Sequence, residues 1–102
     1  MKPLKNYHKS KPVCNVTFHL PWQAAKDAKQ VHIVGEFNNW DEHTMPMKRD
    51  ANGDWSITLE LETGKEYQYR FLIDEAVWEN DWDADGYVPS PIGGCYNSVV
   101  VI

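Results

Sequence analysis

Apolar and polar residues alternate along most of this chain, and a period of two is the signature of half-buried strands. Cys14, Val16, Phe18 and Leu20 share one face of a strand expected over about 13–20. A second strand is expected at 31–35, and a short third at 45–49. Asn52-Gly53 predicts a tight hairpin, because both central residues of a type I′ turn need positive φ. Beyond it Trp55, Ile57, Leu59 and Leu61 point one way, and Asp54, Ser56, Thr58 and Glu60 the other. After the turn at Thr63-Gly64-Lys65, the residues Tyr67, Tyr69, Phe71 and Ile73 form an inward set, with Gln68, Arg70 and Leu72 opposite. The stretch 75–95 contains Gly86, Pro89, Pro91, Gly93 and Gly94, so it reads as mostly loop with a short strand near 77–79. A last strand is expected over about 96–102. Residues 23–30 predict at most one helical turn. Six to eight short strands with regular turns and no long helix predict an all-β, immunoglobulin-like antiparallel β-sandwich.

The chain has 102 residues, enough for one domain with a modest core. The expected organisation is a basic tail over 1–12, read as a solvated arm, and a sandwich domain over 13–102. The tail carries Lys2, Lys5, Lys9 and Lys11 and no acid, whereas residues 74–85 carry six acids and no base. A net charge of −5 disfavours nucleic acid as a partner, since phosphate would be repelled. No apolar run approaches the length that spans a bilayer, so no membrane partner is expected. The N-terminus has no apolar signal region, and the expected location is cytoplasmic. Cys14 and Cys95 have no metal-site spacing; Cys14 reads as a buried apolar residue, and a bridge between the two is left open. The four histidines, His8, His19, His32 and His43, are expected at surface or edge positions.

Five Trp and five Tyr exceed the needs of one small core, so some rings should face solvent and bind a ligand. Trp40 stands out because it falls among polar residues, outside any alternating pattern. Asp81-x-Asp83-x-Asp85-Gly86 opens like a calcium loop, but its twelfth position is Ile92 where a bidentate Glu belongs, and Pro89 and Pro91 interrupt it; no metal is expected. Asp41, Asp74, Glu79 and Asp81 are the carboxylates that could be nominated for glycoside hydrolysis, but so small a sandwich offers little volume for a deep cleft, and no catalytic residue is expected. Trp55 reads as core, and Trp22 has no assignment.

The motif Gly35-x-Phe37-Asn38-x-Trp40 resembles the start of carbohydrate-binding module family 48. That family includes the isoamylase N-terminal early-set domains and the glycogen-binding domain of the AMP-activated protein kinase β subunit. The strand Tyr67-Gln68-Tyr69-Arg70-Phe71-Leu72-Ile73-Asp74 is similar to the family's basic strand, Trp78 follows at nearly the family's distance, and Asn97 opens the closing strand. The resemblance spans about residues 13–102. It implies a non-catalytic module that binds glycogen, starch or malto-oligosaccharide without a cofactor, with Trp40, Arg70, Trp78 and Asn97 as sugar contacts. Trp82 is carried as a further candidate. The chain departs from the family at Asp74-Glu75-Ala76-Val77, one residue longer than the usual Asp-Gly turn, and around Ile92 to Cys95. An alternative is a protein-interaction module that docks onto an α-glucan enzyme or a kinase-like partner through the same Trp pair.

Overall fold

A computed structural model describes residues 2–91 and 94–102; Ile92 and Gly93, in the expected departure from the family, lie outside the described residues. Among the described residues, nine strands form two antiparallel sheets. They are β1 (Leu4–Tyr7), β2 (Val13–Leu20), β3 (Val31–Gly35), β4 (Lys48–Arg49), β5 (Trp55–Glu62), β6 (Glu66–Ile73), β7 (Val77–Glu79), β8 (Gly86–Pro89) and β9 (Tyr96–Val101). One sheet has the order β1-β2-β5-β4. The other has the order β3-β6-β9-β8, with β7 paired to the end of β6 that β9 leaves free. Two short 3₁₀ turns, Trp22–Ala24 and Glu36–Asn38, interrupt the strands. The expected all-β sandwich is therefore the fold.

The alternation read from the chain builds the core. Cys14, Val16, Phe18 and Leu20 face inward from β2 and are fully buried. They meet Val31, Ile33, Tyr69, Phe71 and Val100 of the second sheet, with Trp55 and Leu61 from β5. A ring contact ties the layers together, with Phe18 of β2 4.9 Å from Tyr69 of β6, edge to face, and Tyr69 in turn 5.9 Å from Phe71 along its own strand. Cys14 is a buried free thiol, so the bridge to the exposed Cys95 is not formed.

Several local expectations need correction. The first twelve residues are not simply a solvated arm: Leu4–Tyr7 pairs with β2 from Leu4↔Thr17 to Tyr7↔Cys14. Lys5 points toward the inner side, opposite Val16, and its Nζ reaches Asp85 Oδ2 at 2.8 Å, which links the edges of the two sheets. Within the expected loop, Gly86–Pro89 forms β8. Pro89 is tolerated because it closes a strand on the sheet's edge. The turn at Asn52-Gly53 is not a two-residue type I′ turn. Gly53 alone has positive φ (86°), and Asp50 Oδ1 accepts the N–H groups of Asn52 and Asp54. Residues 45–49 are shared between sheets. Met45 and Met47 exchange backbone hydrogen bonds with Ile33 and Val31, and Lys48–Arg49 then joins β5. That crossing covers the outer edge of β3, so His32, at an edge position as expected, is nonetheless buried (7% exposed).

Candidate functional site

Strand register decides which side chains meet on the outer face of the second sheet. Val34 pairs with Arg70, Leu72 pairs with both His32 and Trp78, and Gln68 pairs with Val99. Directly paired residues share a face, and so do residues two apart on one strand. His32, Val34, Gln68, Arg70, Leu72, Trp78, Asn97 and Val99 therefore all lie on the face turned away from the core. Val34, Leu72 and Val99 are nonetheless buried beneath their neighbours on this face. On the same face opens a cleft of about 690 Å³, lined by Trp40, Trp78, Arg70, Asn97, Gln68, Glu36 and Glu42, with Pro89, Ser90, Pro91 and Cys95 along one side. That volume falls in the ordinary range for ligand sites.

Trp40 reaches the cleft by a route written in its own motif. Gly35 has extended backbone, but a Cβ there would stand 2.6 Å from the Gln68 carbonyl oxygen and 2.7 Å from Tyr69 Cβ, so only hydrogen fits. Phe37 turns inward and packs 5.9 Å from Phe18 and 6.3 Å from Tyr69. Asn38 knots the loop: its Oδ1 accepts the Gly35 N–H at 3.0 Å, and its Nδ2 donates to the Asp41 carbonyl and to Thr44 Oγ1, both at 3.2 Å. Asn39 and Trp40 then take left-handed φ values of 55° and 58°, and the Trp40 N–H closes the turn on the Gly35 carbonyl at 2.8 Å. The left-handed pair costs conformational energy that the knot offsets. Trp40 stays 38% exposed.

Trp78 arrives from the other side. The longer Asp74-Glu75-Ala76 turn is absorbed by left-handed Asp74 and Glu75, and Asp74 Oδ1 accepts the N–H groups of Lys29 and Gln30. These two bonds hold the Asp74 carboxyl below its ordinary pKa. Trp78 is left opposite Leu72 and 42% exposed. The Arg70 guanidinium lies 6.0 Å from the Trp78 ring centre, within cation–π range, and its Nε donates to Asn97 Oδ1 at 2.6 Å. Asn97 is only 3% exposed, and its Nδ2 donates to Gln68 Oε1 at 3.0 Å. Arg70 thus presents its terminal N–H groups to the cleft, while Asn97 works chiefly as the brace that aims them.

Four of the five residues singled out from sequence, Trp40, Arg70, Trp78 and Asn97, line this cleft. Trp82 does not line it. Its ring is 56% exposed, and its Nε1 donates to Glu79 Oε1 at 3.1 Å. Gln68, Glu36 and Asn38 were not singled out. Glu36 Oε1 accepts the Gln68 N–H at 2.7 Å and so fastens the Trp40 turn to β6. Asn38 had a signal, its place in the Gly-x-Phe-Asn-x-Trp motif. Gln68 had only its phase with Arg70.

The acids of the 81–85 loop serve different partners. Asp81 is buried, with Oδ2 accepting the Tyr69 hydroxyl at 2.6 Å, Oδ1 accepting the Asp83 N–H, and its own N–H donated to Ser98 Oγ. Burial raises its pKa, with the Tyr69 bond acting against that rise. Burial beside this carboxyl also pushes the Tyr69 hydroxyl far above its ordinary range. Asp83 pairs with Lys2 at 3.6 Å, and Asp85 pairs with Lys5 and accepts the Val101 N–H. Among the described residues no helix is long and apolar enough to cross a membrane, which says nothing of β-barrels.

Residues 13–88 match the family model described as carbohydrate-binding module 48 (isoamylase N-terminal domain). A 1,4-α-glucan branching enzyme from Butyrivibrio fibrisolvens is 37% identical over 72 residues, which make up 69% of this chain and 11% of that enzyme. The corresponding enzyme from Aquifex aeolicus (strain VF5) is 39% identical over 56 residues, 52% of this chain and 9% of that one. The aligned stretch therefore spans only about a tenth of these relatives. A crystal structure of apo pullulanase from Paenibacillus barengoltzii superposes on 90% of this chain and 14% of its own, with 25% identity and a TM-score of 0.48.

Proposed function

This chain belongs to carbohydrate-binding module family 48, and from that premise we propose that its cleft holds a segment of α-linked glucan without cleaving it. The observation that carries the reading is the meeting of Trp40, Trp78 and Arg70 in one cleft, with Asn97 bracing the arginine. A glucose unit has an apolar CH face and a rim of hydroxyls. The two indoles offer flat apolar surfaces to the first, and the terminal guanidinium N–H groups offer donors to the second. The Glu36 and Glu42 carboxylates add acceptors. The cleft is a surface feature that covers only part of a flexible polymer, so affinity should be weak, on the order of micromolar to millimolar.

The reading concerns binding alone. Asp81 is turned into the core toward Tyr69, which leaves it to structural work. Migration of the domain through a gel containing glycogen tests the proposal. Retardation that is relieved by free maltoheptaose is the expected result, and unretarded migration of the wild-type chain overturns it. A pull-down that recovers a protein partner regardless of added maltoheptaose would point instead to docking through the same aromatic pair.

A further inference from the structure

Resting on that reading, we infer that the cleft selects uncharged glucan and turns away glucan esterified with phosphate. The inference comes from the charges that line it. Glu36 and Glu42 stand against the single guanidinium of Arg70, so the wall has one negative charge in excess. Arg70 is not a loose cation free to seek an anion. Its Nε is bound to Asn97 Oδ1 at 2.6 Å, and its plane is held 6.0 Å from the Trp78 ring centre. Glu36 is equally fixed, because its carboxylate accepts the Gln68 N–H at 2.7 Å and so sits over the strand that carries Arg70.

The surroundings do not reverse that sign. Glu75 lies 3.8 Å from His43 in the stretches next to Trp78 and Trp40, and the whole chain carries −5. The basic groups nearest the N-terminus are engaged elsewhere, Lys2 with Asp83 and Lys5 with Asp85. A hydroxyl can donate to a carboxylate and accept from a guanidinium at once, so a neutral sugar uses both kinds of group. A phosphate ester carries roughly −1.5 to −2 at neutral pH and can only be repelled by the carboxylates. A phosphate seated on Arg70 would also have to approach Glu36.

The test titrates intrinsic Trp fluorescence of the full chain with maltoheptaose and with maltoheptaose bearing one 6-phosphate. Salt is set at about 10 mM and about 1 M, where charges are screened over roughly 30 Å and 3 Å. Neutral maltoheptaose should bind equally at both. The ester should bind about fivefold more weakly at low salt, as expected for like charges across a few ångströms of wet surface. The gap should close at high salt, and it should close or reverse in favour of the ester in the double variant Glu36→Gln, Glu42→Gln, which leaves Arg70 unopposed and whose new amide oxygens include one that still accepts the Gln68 N–H. Equal or tighter binding of the ester to the wild-type chain at low salt overturns the inference and leaves the α-glucan reading intact. A gap that persists at high salt also overturns it, by tracing rejection to shape. If neither ligand binds, the α-glucan reading fails and this inference with it.

Discussion

Two stretches of this chain set an exposed tryptophan among polar residues, Gly35–Asp41 around Trp40 and Asp81–Gly86 around Trp82. They look alike in one dimension and differ in where their polar side chains spend their hydrogen bonds. In the first, Asn38 turns back on its own loop and holds Gly35, Asp41 and Thr44 together, so the ring is delivered to the cleft. In the second, the acids reach outward to other strands: Asp81 to Tyr69 on β6, Asp85 to Lys5 on β1. That loop fastens the sandwich, and its tryptophan is left beside Glu79, away from the cleft. An exposed ring becomes part of a site when local bonds aim it at other ligand-facing groups; exposure alone is ordinary.

The sharpest way to break this contrast is Asp81→Ala. It strips a buried tyrosine hydroxyl of its acceptor, and unfolding by urea should show a loss of about 3 kcal/mol. A loss below about 1 kcal/mol would mean the loop is no fastener, since one unsatisfied buried group alone should exceed that. Next come the rings. Trp40→Ala or Trp78→Ala should cost about 2 kcal/mol of glucan binding, as aromatic anchors do, and Trp82→Ala less than about 0.5 kcal/mol. Affinity gels of the three variants side by side decide it, and equal losses at all three would extend the platform to Trp82. Asn38→Ala should lower stability by about 1.5 kcal/mol through its unmade bonds. It should also weaken glucan retention, although Asn38 does not line the cleft. Normal retention in a folded variant would show that Trp40 holds its pose without the knot.

The smallest effect is one of pH. Burial acts to raise the Asp85 carboxyl, but the bonds from Lys5 and the Val101 N–H prevail and hold it below the ordinary 3.8. Its folded pKa being depressed, its contribution is present above pH 3.8 and lost as pH falls through the folded value. Asp81 has the opposite sign. Its raised pKa means its charged form is disfavoured by folding, and protonation in acid relieves that penalty. Melting curves between neutral pH and pH 2 should therefore lose less stability in Asp85→Asn than in wild type, and more in Asp81→Asn. Parallel curves for all three would remove both acids from the acid response.

Much of the sandwich was legible because β2, β5 and β6 alternate over eight residues each, long enough for a period of two to stand clear of chance. The strand β1 was not, since its four residues carry one aliphatic side chain and a lysine that faces inward only because Asp85 awaits it. The strand β8 was hidden by Gly86 and Pro89, residues that mark loops unless an edge position admits them. For the cleft, phase along β6 puts Gln68 and Arg70 on one face without further knowledge. Asn97 joins them only through the register of β6 with β9, a property of two strands together that neither contains. The role of Asn38 depends on the closeness of Gly35 to β6, which is likewise a fact of three dimensions.

The burial of apolar residues on the strand face that carries the cleft has a calorimetric consequence. Val34, Leu72 and Val99 are already dry, so a ligand settling in the cleft removes further apolar surface from water only at the two partly exposed indoles and along the narrow side formed by Pro89, Pro91 and Cys95. Association with glucan should accordingly carry only a small negative heat-capacity change, with its heat supplied by hydrogen bonds and ring contacts. Because that heat is nearly constant with temperature, cooling should strengthen attachment steadily, with none of the curvature that a large hydrophobic contact would impose.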